Sequence, residues 1–126
     1  QTEVELEEAK KLIANGTNDY IEVANMPTTE DALNLLIDTD GIIVAPSKAV
    51  NAGGVCVSGL EMSQNSQRLS WTAEEVDEKL HTAMINIHKH SVEAAEKYGL
   101  GYNLVAGANI AGFEKVAEAM MEQGIY

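Results

Sequence analysis

The residues best placed to do chemistry lie between positions 45 and 65. The stretch opens Ala45-Pro46-Ser47-Lys48-Ala49-Val50-Asn51-Ala52-Gly53-Gly54-Val55-Cys56-Val57-Ser58 and runs on to Gln64-Asn65. It follows an apolar run, Ile42-Ile43-Val44, that reads as a strand. A strand end facing a glycine-rich helix start is where an α/β protein places a ligand. Gly53-Gly54 removes side chains, so backbone N–H groups can approach a bound molecule closely. The first N–H groups of a helix lack internal partners and favour anions. Ser58, placed just inside that helix, would offer a hydroxyl to a carboxylate or phosphate. Asn25, before Met26-Pro27 at the end of an earlier strand, is a second polar candidate. Each has a plainer competitor. Asn25 could close an Asx-type bend. The diglycine could serve close packing. Ser58 could bond back to a helix carbonyl.

Other reactive residue types carry less. Lys48 has nothing beside it in sequence that marks it as a catalytic amine and reads as a surface lysine. Cys56, the single cysteine, lies in an apolar run and reads as a small buried hydrophobe. His81 and His88 share a helix face, but two turns separate them by ~11 Å, too far for one metal ion without further ligands. With His90 they read as surface histidines, and no metal is expected.

The chain's 126 residues suit one domain, and 45% hydrophobic content allows a core. A net charge of −12 argues against nucleic acid or an anionic membrane as partner. No apolar run approaches the ~20 residues needed to cross a bilayer. One thiol fits a reducing cytoplasm. Gln1 without signal-like regions reads as a processed, excised or designed boundary.

The elements that must position these residues follow from periodicity. A helix is expected over 4–15, stopped at Asn15-Gly16. A strand follows over 20–24. A helix beginning after Thr28 or Thr29 has Glu30 and Asp31 in its first turn. A second strand covers 42–45; its consecutive apolar residues suit a sheet covered on both faces. Strand, helix, strand at this spacing is a βαβ unit with parallel strands. From Gly54 on, the chain reads mostly as helix. Thr72-Ala73-Glu74-Glu75 is a capping box for a long amphipathic helix ending at Gly99-Leu100-Gly101. Leu104-Val105-Ala106 reads as a short buried segment, separate from a last helix over 110–122.

The segments Lys48-Ala49-Val50-Asn51-Ala52-Gly53-Gly54-Val55, Ser58-Gly59-Leu60-Glu61-Met62 and Gln64-Asn65 resemble the C-terminal part of the hexameric glutamate dehydrogenases. Glu22-Val23-Ala24-Asn25-Met26-Pro27-Thr28-Thr29 resembles that family's turn beside the nicotinamide, and Gly107-Ala108-Asn109-Ile110-Ala111-Gly112-Phe113 its closing helix. The resemblance implies an α/β fold: the last part of a Rossmann-like dinucleotide-binding domain over 1–102, then a helical segment over 103–126 returning toward the substrate domain. It implies that Asn25 and Asn51 contact the cofactor, NAD or NADP with NAD preferred. It implies that Gly54, Val55 and Ser58 contact the substrate, L-glutamate or 2-oxoglutarate, and that the intact enzyme is a cytoplasmic homohexamer. No catalytic residue falls in this segment. The glycine fingerprint and the catalytic lysine and aspartate of that family lie upstream, so the piece alone is expected to be inactive and to self-associate. The alternatives are a freestanding nucleotide- or anion-binding module and a non-catalytic interaction piece.

Overall fold

A computed structural model describes residues 1–124. Two strands, β1 (Asp19–Ile21) and β2 (Ile43–Ala45), pair in parallel, with Asp19 opposite Ile43, Tyr20 opposite Val44 and Ile21 opposite Ala45. A parallel pair needs a crossover, and α2 (Glu30–Ile37) supplies it. Side chains alternate along a strand, so Tyr20 and Val44 share one face. That face meets α1 (Leu6–Ala14) and α2, and the core forms there from Ala9, Ala32, Leu36 and Val44. On the opposite face Ile21 and Ile43 are 60% and 45% exposed. The expected two-sided cover is therefore half realised: one face is packed and most of the other is bare.

α1 stops where expected. Gly16 takes φ +76, and the Gly16 and Thr17 N–H groups close on the Ile13 and Leu12 carbonyls at 3.0 and 3.2 Å. β1 is shorter than its apolar run and ends at Ile21. The Glu22 N–H still reaches the Ala45 carbonyl at 3.0 Å, and the chain then turns away into Asn25-Met26-Pro27 with Met26 at φ +50. The helical part continues through α3 (Ser47–Val50), α4 (Ala52–Gln67), α5 (Ala73–Lys97) and α6 (Leu104–Gln123). No helix among the described residues is long and apolar enough to cross a membrane. The capping box on α5 is formed as expected. The Thr72 hydroxyl accepts the Glu75 N–H at 3.2 Å, and the Glu75 carboxylate accepts the Thr72 N–H at 2.7 Å.

The end of the chain differs from expectation. Leu104-Val105-Ala106 is not a separate segment but the first turn of α6, held by Asn103 Oδ1 accepting the Ala106 N–H at 3.0 Å. Gly107 does not break this helix. It lies where α6 crosses α5, against Ser91 and Ala95, and a Cβ there would sit 1.9 Å from the Ser91 carbonyl oxygen. Further along, the two helices are tied by charge. Lys97 Nζ and the Tyr98 hydroxyl both donate to Glu114 Oε1, at 2.5 and 2.8 Å.

Gly107→Ala is therefore expected to force the helices apart and cost about 2–3 kcal/mol or more. Gly112→Ala, which meets nothing within 4 Å, should be neutral or stabilise by up to about 1 kcal/mol. Urea unfolding of both variants checks this, and equal midpoints would contradict the close crossing. The hydrogen bonds from Lys97 and then Tyr98 hold the Glu114 carboxyl below its ordinary value of 4.5. The same contact raises the Lys97 ammonium pKa. A depressed carboxyl contributes above its unfolded value and loses that contribution as pH falls through the folded one. A raised amine contributes below its unfolded value and loses it only as pH rises through the folded one. The tie thus persists across neutral pH and releases in acid. An NMR titration of the Glu114 carboxyl should give a midpoint under 4.5, moving upward in Lys97→Met; an unmoved midpoint would contradict the assignment.

Candidate functional site

Both strands end at the same side of the sheet, and the segments leaving them are sewn together. The Asn51 side-chain amide donates from Nδ2 to the Asn25 Oδ1 at 2.7 Å and to the Val23 carbonyl at 3.1 Å. Asn51 stands at the junction of α3 and α4, with helical backbone angles of φ −80 and ψ −4. Residues 26 positions apart in sequence thus meet. Both lie near the surface, with donors and acceptors to spare. Asn25 keeps its Nδ2 group and Asn51 its Oδ1 beyond the bond they share.

Glu22 is a residue the sequence reading passed over. It is 6% exposed, and its Oε2 accepts the Ser47 N–H at 3.2 Å. The only sequence signal was a carboxylate inside the apolar run Tyr20-Ile21-Glu22-Val23-Ala24.

α4 divides its residues between two opposite sides. Gly53, Cys56, Leu60 and Gln64 recur at three and four on the side that packs on α5, and all are partly buried. Asn51, Gly54, Val55 and Ser58, followed by Met62 and Asn65, recur at three and four on the other side. From Gly54 onward that side is exposed, Val55 at 77% and Met62 at 72%. The structure therefore brings the expected residues onto one open surface beside the Asn25–Asn51 pair.

Three expectations need correction. The diglycine does not precede the helix; it forms part of the first turn of α4, which begins at Ala52. Its members differ. A Cβ on Gly53 would meet Met84 Sδ at 3.3 Å and Leu80 Cδ1 at 3.4 Å, so that glycine serves close packing on α5. A Cβ on Gly54 would meet nothing, yet the Gly54 N–H is already bonded to the Asn51 carbonyl at 3.2 Å. Gly54 thus offers open space, not a free donor. Ser58 lies at the seventh position of α4, two turns in, beyond the unpaired N–H groups. Its hydroxyl donates to the Gly54 carbonyl at 3.1 Å. Cys56 is half-buried, not buried.

The remaining candidates fall outside this surface. Lys48 is exposed and donates to Asn109 Oδ1 on α6. His81, His88 and His90 are exposed on α5, and His88 Nε2 bonds the Tyr102 hydroxyl at 2.6 Å. Among the described residues no group of three or more His, Cys, Asp or Glu side chains is arranged to hold a metal ion.

The family model for Glutamate/Leucine/Phenylalanine/Valine dehydrogenase matches residues 1–124. The chain belongs to this dehydrogenase family. It is 69% identical over 125 residues to the NAD-specific glutamate dehydrogenase of Clostridium symbiosum, covering 99% of this chain and 28% of that one. It is 52% identical over 131 residues to the NADP-specific glutamate dehydrogenase of Haemophilus influenzae, covering 100% of this chain and 28% of the relative. A solved glutamate dehydrogenase structure at 69% identity superposes with a TM-score of 0.95, over 99% of this chain and 28% of that one. The chain thus spans little more than a quarter of the length of these dehydrogenases. Its relatives include members named for NAD and for NADP, so a nicotinamide cofactor is common to them.

The split diglycine is directly testable. Gly54→Ala should stabilise the fold by about 0.5–1 kcal/mol, since a helical glycine is replaced where nothing is displaced. Gly53→Ala should gain less or lose, because Met84 and Leu80 must give way. Thermal unfolding that ranks the two the other way would contradict the two-sided reading of α4.

Proposed function

We propose that this chain acts within an NAD(P)-dependent glutamate dehydrogenase, where α4 and the two strand ends form one wall of the cofactor and substrate cleft. The observation that carries this is the open side of α4, with Val55 and Ser58 in register with the Asn51–Asn25 amide pair. Leaving Val55 and Met62 bare forgoes about 1–2 kcal/mol each of burial. That favours a surface completed by a ligand and by further protein.

The residues suit the two ligands. Asn25 and Asn51 brace each other, so their remaining amide groups face outward in fixed positions, suited to a ribose hydroxyl or a carboxamide. Asn25 and Asn51 would hold the nicotinamide end of the cofactor, which would supply the hydride acceptor for oxidation at the amino acid's α-carbon. Val55 gives the aliphatic stem of glutamate an apolar bed. Ser58 turns its hydroxyl from the Gly54 carbonyl to the distal carboxylate, exchanging a modest hydrogen bond for a charge-assisted one. Gly54 keeps the ground between them clear of a Cβ. A hydroxyl alone does not balance a buried carboxylate, so a cation from the rest of the enzyme completes the clamp. The lysine and acid that move protons belong there too, and this chain supplies no catalytic residue.

On this reading the cofactor-domain part runs over 1–102 and the part returning to the substrate domain over 103–126. The helices after Gly54 carry the closing motion of the cleft. The cofactor is NAD, the assembly a homohexamer and the compartment the cytoplasm. The bare Ile21 and Ile43 face makes the isolated chain self-associate.

Replacing the matching segment of the Clostridium symbiosum enzyme with this chain tests the proposal. The chimera should reduce NAD with glutamate, while the 126-residue chain alone should not. Ser58→Ala in the chimera should raise the KM for glutamate about tenfold with little change for NAD. A folded but inert chimera, or turnover by the chain alone, would overturn the proposal.

A further inference from the structure

Glu22 is a buried carboxylate that the proposed chemistry does not use. It takes part in none of the ion pairs among the described residues, and its identified polar contact is the Ser47 N–H at 3.2 Å. Burying a carboxylate without a cation is unfavourable. An apolar side chain at this place in an otherwise apolar run would serve stability better. Its position gives it another task. Its own N–H bonds the Ala45 carbonyl at 3.0 Å, so Glu22 grips the end of β2 with its backbone and the start of α3 with its side chain. Val23, whose carbonyl receives the Asn51 amide, is the next residue. Four bonds therefore join the two strand exits, and Glu22 supplies two of them.

We propose that Glu22 is a positioning residue for the cofactor side of the cleft: by anchoring Ser47 it fixes where α3 starts, and so holds Asn51 in register with Asn25. It acts through these two residues and touches no ligand itself. The inference rests on the dehydrogenase reading for its functional part and on the geometry alone for its structural part.

Two measurements separate them. In the chain itself, NMR should show the Ser47 N–H and the Asn51 side-chain NH2 exchanging faster with water by about tenfold in Glu22→Ala. Glu22→Gln, whose amide oxygen still accepts the Ser47 N–H, should restore the parent rates. In the chimera, Glu22→Ala should raise the KM for NAD about tenfold and leave that for glutamate within about twofold, with Glu22→Gln again close to the parent. Unchanged exchange in Glu22→Ala overturns the proposal. So does an equal loss for NAD and glutamate, which marks a general disturbance of the fold. An inert chimera carrying native Glu22 would instead sink the dehydrogenase reading, and the exchange rates would still decide whether Glu22 sets the Asn25–Asn51 register.

Discussion

The arrangement depends on how the exits of the two parallel strands are bound to one another. A two-stranded sheet is weak alone, and each strand here has three residues. The Glu22 and Asn51 bonds extend the pairing past the ladder, into segments that would otherwise diverge. The Glu22 backbone continues the register by one residue, its carboxylate fixes the start of α3, and the Asn51 amide returns to Val23 and Asn25. Polar groups near a surface contribute little each to stability. Their combined effect is positional, since they hold Ser47 and Asn51 against the end of β1.

The helix that follows has two unlike sides. On α4 the residues three, four and seven positions after Asn51 share its side, and the opposite side packs on α5. Gly53 lets α4 approach Leu80 and Met84 closely, and Gly54 keeps the outer side clear. α5 is in turn held by α6 through the crossing at Gly107 and the Glu114 contacts. Lys48 on α3 reaches Asn109 on α6, so the last helix is also tied to the strand exit. The outward side is thus backed by packed helices, although it is itself bare. A packed backing suits the task proposed for this surface, holding ligand groups at set distances.

Much of this was legible in the sequence because it is local. The Thr72–Glu75 box, the Gly16 stop and the βαβ spacing each depend on neighbours a few residues away. The bond between Asn25 and Asn51 was not legible, since no local rule joins positions 25 and 51; the resemblance to the dehydrogenases implied only that both contact the cofactor. What was misread depends on distant parts of the chain. Whether a glycine serves packing or leaves space is decided by the helix opposite, and this separates Gly53 from Gly54. Leu104-Val105-Ala106 read as separate from the last helix because what joins them, the close passage of Gly107 over the Ser91 carbonyl, involves another element. Ser58 was placed too near the helix start because α4 begins before the diglycine, not after it. Glu22 was missed because its burial arises only when the two strand exits meet.

The central claim is that the side of α4 bearing Gly54, Val55 and Ser58, together with the Asn25–Asn51 pair, is where nicotinamide and amino acid come together. The most direct measurement is a crystal structure of the dehydrogenase carrying this chain, with NAD and 2-oxoglutarate bound. The account predicts the nicotinamide half within hydrogen-bond reach of Asn25 and Asn51, and the distal carboxylate on a Ser58 hydroxyl that has left the Gly54 carbonyl. Ligands bound against another face, with this surface bare and Ser58 still bonded to its own helix, would contradict it.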